Sequence, residues 1–174
     1  IGVYGFGRTN KDVRINDAVV VNGSLQPGTG LNQRARYAVH FHHTGVNSAV
    51  APALIRGSLV VDSPGWGYVN HQSHVVMQNN VAFGVLGAAF VTEDGNEIGT
   101  MRGNLALQTY GSLTQGDRRD IHDFGFAGHG YWFQGPGVVA LDNISAGSQS
   151  ADASVSSPAP RSASSAAWCA RRAS

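Results

Sequence analysis

Four short stretches of this chain repeat one form, a small or amide residue followed by alternating apolar positions. They are Gly57-Ser58-Leu59-Val60-Val61, Asn79-Asn80-Val81-Ala82-Phe83, Gly103-Asn104-Leu105-Ala106-Leu107 and Asp142-Asn143-Ile144-Ser145-Ala146. The first three begin 22 and 24 residues apart, and the fourth follows after 39, which allows one more turn of chain plus an insertion at 110–123. A second form falls between them, at Tyr37–His42, Gly67–His71, Ala89–Glu93 and Gly130–Gln134. Two strand types interleaved at a period near 22 describe a parallel β-solenoid. Each turn would add one strand to each sheet, about 4.8 Å above the last. Asn80, Asn104 and Asn143 recur at one phase. That suits a ladder of stacked side-chain amides, and turn chemistry is the other reading of the same residues. An antiparallel sandwich also gives short strands at regular spacing. Tight hairpin dipeptides are few, with Asn22-Gly23 and Asp94-Gly95 the best candidates, and a sandwich gives no reason for the repeated phase.

Composition narrows the classes further. Of 174 residues, 13% are charged and 23 are Gly, too little charge and too much glycine for a coiled coil or long-helix bundle. A net charge of +1 provides no electrostatic footprint for nucleic acid. The single cysteine, Cys169, excludes an intramolecular disulfide framework and a cysteine zinc site. No apolar stretch reaches the roughly 18 residues of a membrane span. The chain starts at Ile1 without a signal-peptide pattern, so it reads as a fragment or processed product, contiguous with further β-helix or other domains. Residues 1–147 read as one all-β domain of about four to six solenoid turns. Residues 148–174 are mostly Ser and Ala and read as a disordered tail or linker, with Arg161, Arg171 and Arg172 solvated.

Histidine supplies the chemistry. In a strand, residues i and i+2 share a face. Val39 and Phe41 point inward, so His40 and His42 point out together, with roughly 6–7 Å between their Cα atoms. Aligning the second strand type places His71 one coil above His42, then Glu93, then Gln134. His40, His42, His71 and Glu93 would thus converge on one divalent ion. Such a set suits zinc, copper or iron, and a carboxylate version from Glu93, Asp94 and Glu97 would suit calcium. The alternatives are a polar sugar-contact face without metal and plain solvated imidazoles. His43 is expected on the opposite face or in the following turn, and His74, His122 and His129 at the surface or in turns. Glu93 and Asp94 are sequence neighbours whose side chains diverge, a poor carboxylate pair for glycosidic acid/base work; His40 or His42 would serve as base instead.

Aromatic and cationic residues add a candidate glycan surface. Tyr37, Trp66, Tyr68 and Trp132 gather around the second strand type. Parity turns Trp132 outward into the column of His40, Val69 and Val91, where an aromatic ring would stack on a sugar. Tyr131 and Phe133 read as core. Arg36, Arg56 and Arg102 would pair with the carboxylates of an acidic polysaccharide, or stand as solvated strand-end charges.

The run Arg36-Tyr37-Ala38-Val39-His40-Phe41-His42, then Ser63-Pro64, then Thr92-Glu93-Asp94-Gly95 and Arg102-Gly103-Asn104-Leu105-Ala106 resembles the β-helix region of the cell-surface hyaluronidase and cell-migration-inducing hyaluronan-binding proteins, with fibrocystin relatives similar. The resemblance runs from about residue 5 to 147. It implies a right-handed parallel β-helix, an extracellular or cell-surface setting, and hyaluronan or a related acidic glycan as partner. The expected function is therefore a polysaccharide-acting protein, of hyaluronidase type if it is an enzyme, with His40, His42, Glu93 and Asp94 as catalytic candidates and Arg36, Tyr68 and Trp132 as ligand contacts. The alternatives are a non-catalytic carbohydrate-binding or adhesion module and a structural segment of a larger surface protein.

Overall fold

The computed structural model describes residues 1–112 and 124–150, together with the backbone of one further strand, Ala153–Val155. Its strands wind into a β-helix with three parallel sheets. The first sheet stacks β1 (Gly2–Tyr4), β6 (Leu59–Val61), β8 (Val81–Phe83), β11 (Leu105–Leu107) and β14 (Ile144–Ala146). The second stacks β4 (Val39–Gly45), the first half of β7 (Tyr68–Gln78), β9 (Ala88–Thr92), β12 (His129–Phe133) and β15 (Ala153–Val155). The third stacks β5 (Ala53–Arg56), the second half of β7, β10 (Ile98–Arg102) and β13 (Val138–Leu141). Every pairing within these sheets is parallel. The one antiparallel pair joins β2 (Val20–Val21) to β3 (Ser24–Leu25) across Asn22-Gly23, the expected hairpin dipeptide. Asp94-Gly95 instead turns the chain from the second sheet toward the third.

The repeat expected from sequence is this winding, with two corrections. Each full coil has three strands, not two; the strands of the third sheet share no opening motif. The domain also continues past residue 147, because β15 pairs with β12 in register Tyr131↔Ala153 to Phe133↔Val155. Residues 151–152 and 156–174 of the expected tail, and most of the insertion expected at 110–123, lie outside the described residues. The long fourth spacing falls between β11 and β12, from Leu107 to His129.

The opening residue of each repeat is a left-handed corner. Gly57, Asn79, Gly103 and Asp142 have φ of 62, 54, 64 and 54°, each just before a strand of the first sheet. This is where L-residues other than Asn and Asp pay most for the conformation, which explains the small-or-amide pattern. The next residue points inward. Asn80 donates from Nδ2 to Asn104 Oδ1 at 3.0 Å, and Asn104 donates from Nδ2 to Asn143 Oδ1 at 3.0 Å. The Nδ2 groups of Asn80, Asn104 and Asn143 also donate to the carbonyls of Ile55, Met77 and Met101. The ladder is therefore built, and it satisfies the backbone groups that the corner exposes inside the coil.

Beside the ladder runs an aromatic stack. Tyr68, Phe90 and Tyr131 face inward from successive coils, with ring centroids 4.8 and 5.1 Å apart and near-parallel planes. Val60, Ala82 and Ala106 fill the first-sheet wall; Val75, Met77 and Met101 fill the third. Small residues on one wall leave the volume that the rings occupy. Tyr131 and Phe133 are core, as expected.

Candidate metal centre

The second sheet carries its chemistry on the outside. The registers are His40↔Val69↔Val91↔Trp132 and His42↔His71, so the columns derived from strand parity are the observed ones. Glu93 follows in the His42 column, its N–H donating to Asn70 O across the coil. Over the neighbouring Val69 and Val91 lies an aromatic roof: Tyr37 stacks on Trp66 at 4.5 Å, Trp66 meets Phe124 at 5.3 Å, and Phe124 meets Trp132 at 5.9 Å. Trp66 donates from Nε1 to Gly125 O at 2.6 Å, and the Lys11 ammonium sits over its ring while donating to Phe124 O. Tyr37 closes the roof against His40, with ring centroids 5.4 Å apart. The imidazole group therefore sits at the rim of a dry layer.

Glu93 Oε2 lies 3.4 Å from His40 Nε2 and 3.3 Å from His71 Nδ1. The side chains of His40, His71 and Glu93 keep only 10%, 17% and 16% of their exposure. None of these three atoms has a hydrogen-bond partner among the described residues, although each is buried. His40 Nδ1 lies 3.1 Å from Ala35 O. A carbonyl can only accept, so Nδ1 carries a hydrogen, and in the neutral imidazole that leaves the Nε2 lone pair facing the carboxylate. Two acceptors then face one another, an arrangement that requires a positive charge between them, a proton or a metal ion. The separations exceed the ordinary 2.7–3.2 Å of an N–H···O bond. They match the roughly 3.3 Å edge of a tetrahedron of ligands held about 2.0–2.1 Å from zinc.

A second set of donors adjoins the first. His43 Nε2 lies 3.2 Å from His71 Nε2, and the His42 and His43 rings stack at 4.1 Å. Two triads emerge, His40–His71–Glu93 and His42–His43–His71, each with its donor atoms within 4.8 Å of one another. His42 has its pKa lowered from the usual 6.5, first by desolvation and then by the neighbouring His43, His40 and His71, with Glu93 opposing.

The structure corrects several expectations. His43 joins the cluster; its φ of 54° puts a bulge between His42 and Gly45, so strand alternation fails at that point. His42 belongs to the outer triad rather than to the one containing Glu93. Asp94 turns away, its Oδ2 accepting from Gln72 Nε2, and it joins neither triad. The carboxylate-rich calcium arrangement is not formed. Glu97 is 1% exposed and its oxygens accept the N–H groups of Gln72, Asp94 and Gly95, which makes it the brace of the Thr92–Gly95 turn. Tyr68 lies wholly inside the coil and cannot touch a ligand, and Tyr37 and Trp66 belong to the roof. Trp132 does face outward, half-buried, with Nε1 donating to Gln134 Oε1 at 3.2 Å. Arg36 is exposed, with Nη2 donating to Gln33 Oε1. Arg56 and Arg102 share a column with Gln78 on the third sheet, and Arg102 pairs with Asp142 at 3.5 Å. His74 is half-buried beside Val50 O and His129 is buried beside Trp132, so His129 is not a surface residue; His122 lies outside the described residues.

No helix is long and apolar enough to cross a membrane among the described residues. No curated protein and no solved structure matches the chain. The family profile described as CEMIP beta-helix matches residues 19–172, most of its length and all of the histidine columns, so the chain belongs to the CEMIP β-helix family.

Proposed function

We propose that this chain is the glycan-acting β-helix of a hyaluronan-related extracellular protein, with its working face at the imidazole–carboxylate cluster, and that His40, His71 and Glu93 hold a zinc-like divalent ion. The observation that carries this reading is Glu93 Oε2 set 3.3–3.4 Å from two imidazole nitrogens, all three buried and unpartnered. Nitrogen-rich donors favour zinc or another late first-row metal over calcium, which takes six to eight oxygens. Bound there, such an ion acts as a Lewis acid and lowers the pKa of a coordinated water. The chain's own residues supply the rest. Ala35 O fixes the His40 tautomer, the aromatic roof keeps water off one side, and Arg36 and Trp132 flank the face with a cation and an apolar ring for an acidic sugar chain.

Catalysis by paired carboxylates has less support. Glu97 is fully engaged and Asp94 is turned toward Gln72, which leaves Glu93 without either as a carboxylate partner. This favours either metal-assisted cleavage or binding without cleavage. Metal analysis of the purified chain, followed by sizing of hyaluronan incubated with and without chelator, separates them. Metal bound together with chelator-sensitive shortening supports cleavage, whereas metal-dependent retention of intact hyaluronan supports a binding module. A chain that takes up no zinc, or whose zinc content is unchanged in both His40→Ala and Glu93→Gln, overturns the site.

A further inference from the structure

His71 presents both ring nitrogens to donors. Nδ1 faces Glu93 Oε2 at 3.3 Å in the inner triad, and Nε2 faces His43 Nε2 at 3.2 Å in the outer one. We infer that the cluster is a two-cation site, with His71 as a bridging ligand between an inner ion held by His40 and Glu93 and an outer ion held by His42 and His43. The inference rests on the metal reading above and extends it to a second ion and to His43.

Three features support the outer position. The left-handed backbone at His43 (φ 54°) turns adjacent residues 42 and 43 to one side, a conformation that histidine adopts only at some cost. The His43–His71 contact of 3.2 Å, a hydrogen bond in the metal-free cluster, is close to the edge of a zinc ligand tetrahedron, so an ion could replace its proton with little movement of the rings. The outer triad is also more open, since His42 and His43 are exposed while His71 is half-buried. Three protein donors with an open fourth position is the pattern of sites that exchange a ligand, whereas closed sites are structural. The outer ion is the more accessible of the two to a glycan carboxylate or hydroxyl.

Binding is balanced as follows. With the inner ion on Nδ1, neutral His71 keeps its one hydrogen on Nε2. The outer ion displaces it: the Nε2–H bond breaks, the Nε2–metal bond forms, and the proton leaves to the buffer. No oxidant or reductant is required.

The test is a titration of the whole chain with zinc, read by calorimetry and by metal content after desalting, with folding checked by circular dichroism. Two equivalents are expected in the unaltered chain, one in His43→Ala, and none in His71→Ala. Titration with copper(II) adds a spectroscopic signature, because ions bridged by one imidazole couple magnetically. The electron paramagnetic resonance signal should grow with the first equivalent and fall with the second, and in His43→Ala it should only grow. A single zinc equivalent in the unaltered chain, or two equivalents persisting in His43→Ala, overturns the second site and leaves the inner one standing. No zinc uptake at all overturns the inner site as well. If His71→Ala fails to fold, His43→Ala alone decides between one ion and two.

Discussion

The rings of His42 and His43 lie parallel, 4.1 Å apart, although the two residues are neighbours in a strand that should send them to opposite faces. The left-handed backbone at His43 makes the difference. Glycine at this position should fold at least as well as histidine, and Val, which is β-branched, should lose about 1–2 kcal/mol. Urea denaturation of His43→Gly and His43→Val measures this; equal stabilities would show that the bulge is not what positions the ring.

The asparagine ladder should be most sensitive at its middle rung. Asn104 is 1% exposed; its Oδ1 accepts from Asn80 N and Nδ2, and its Nδ2 donates to Met77 O and Asn143 Oδ1. Truncation would leave several of these groups buried and unpaired, at about 1–3 kcal/mol each. Asn104→Ala should therefore lose roughly 3 kcal/mol or more, and Asn143→Ala, half-buried at the far end, clearly less. A larger loss at Asn143 in denaturant melts would contradict the ladder's role.

Gly99 allows the closest backbone approach in the third sheet. A Cβ there would fall 1.9 Å from Val75 O, at a φ of 126° that L-residues rarely adopt. Gly99→Ala should cost several kcal/mol by backbone displacement between β7 and β10. Soluble yield and thermal melting report it; a variant melting with the parent would show that the two strands can part freely.

Alkaline conditions should loosen the core. Burial raises the Tyr68 phenol from 10 to about 12 and pushes Tyr131 higher still. Because the folded pKa is raised, the unfolded chain sheds these protons first. The stabilisation is complete below pH 10 and is lost as pH climbs from there toward 12, by roughly 2–3 kcal/mol for Tyr68 alone. Melting followed from pH 8 to 12, with Tyr68→Phe for comparison, should show a steeper decline in the parent. Parallel curves would remove the phenol as the cause.

Metal binding should also register as stability. An ion that binds only the folded chain adds about 2.7 kcal/mol at a free concentration 100 times its dissociation constant. Zinc should raise the melting temperature of the parent, chelator should reverse it, and Glu93→Gln should blunt it. A melting temperature indifferent to zinc would mean that the Glu93 charge is met by a proton instead.

Much of this was legible in the residues. The Gly57, Asn79, Gly103 and Asp142 corners mark each coil, because a left-handed turn restricts the choice of residue. The phase of Asn80, Asn104 and Asn143 marks the ladder, because an inward amide without its neighbours would be unpaired. Parity plus repeat spacing aligned His42, His71 and Glu93. Tyr68 is grouped by sequence with Tyr37, Trp66 and Trp132 as a glycan contact, whereas its register with Phe90 and Tyr131 makes it a core ring. The third sheet leaves no repeated mark in the sequence, because its corners differ from coil to coil.

The sequence alone determined how the coils stack, since strand alternation and corner residues are local properties that repeat along the chain. Tertiary structure decided which imidazoles meet and how dry their surroundings are. His43 enters through a bulge whose backbone angle no alternation pattern encodes. The roof beside it joins Lys11 to Trp66 and Phe124, 113 residues apart at its ends. Such contacts arise from the packing of loops onto a finished sheet, and no period in the chain announces them.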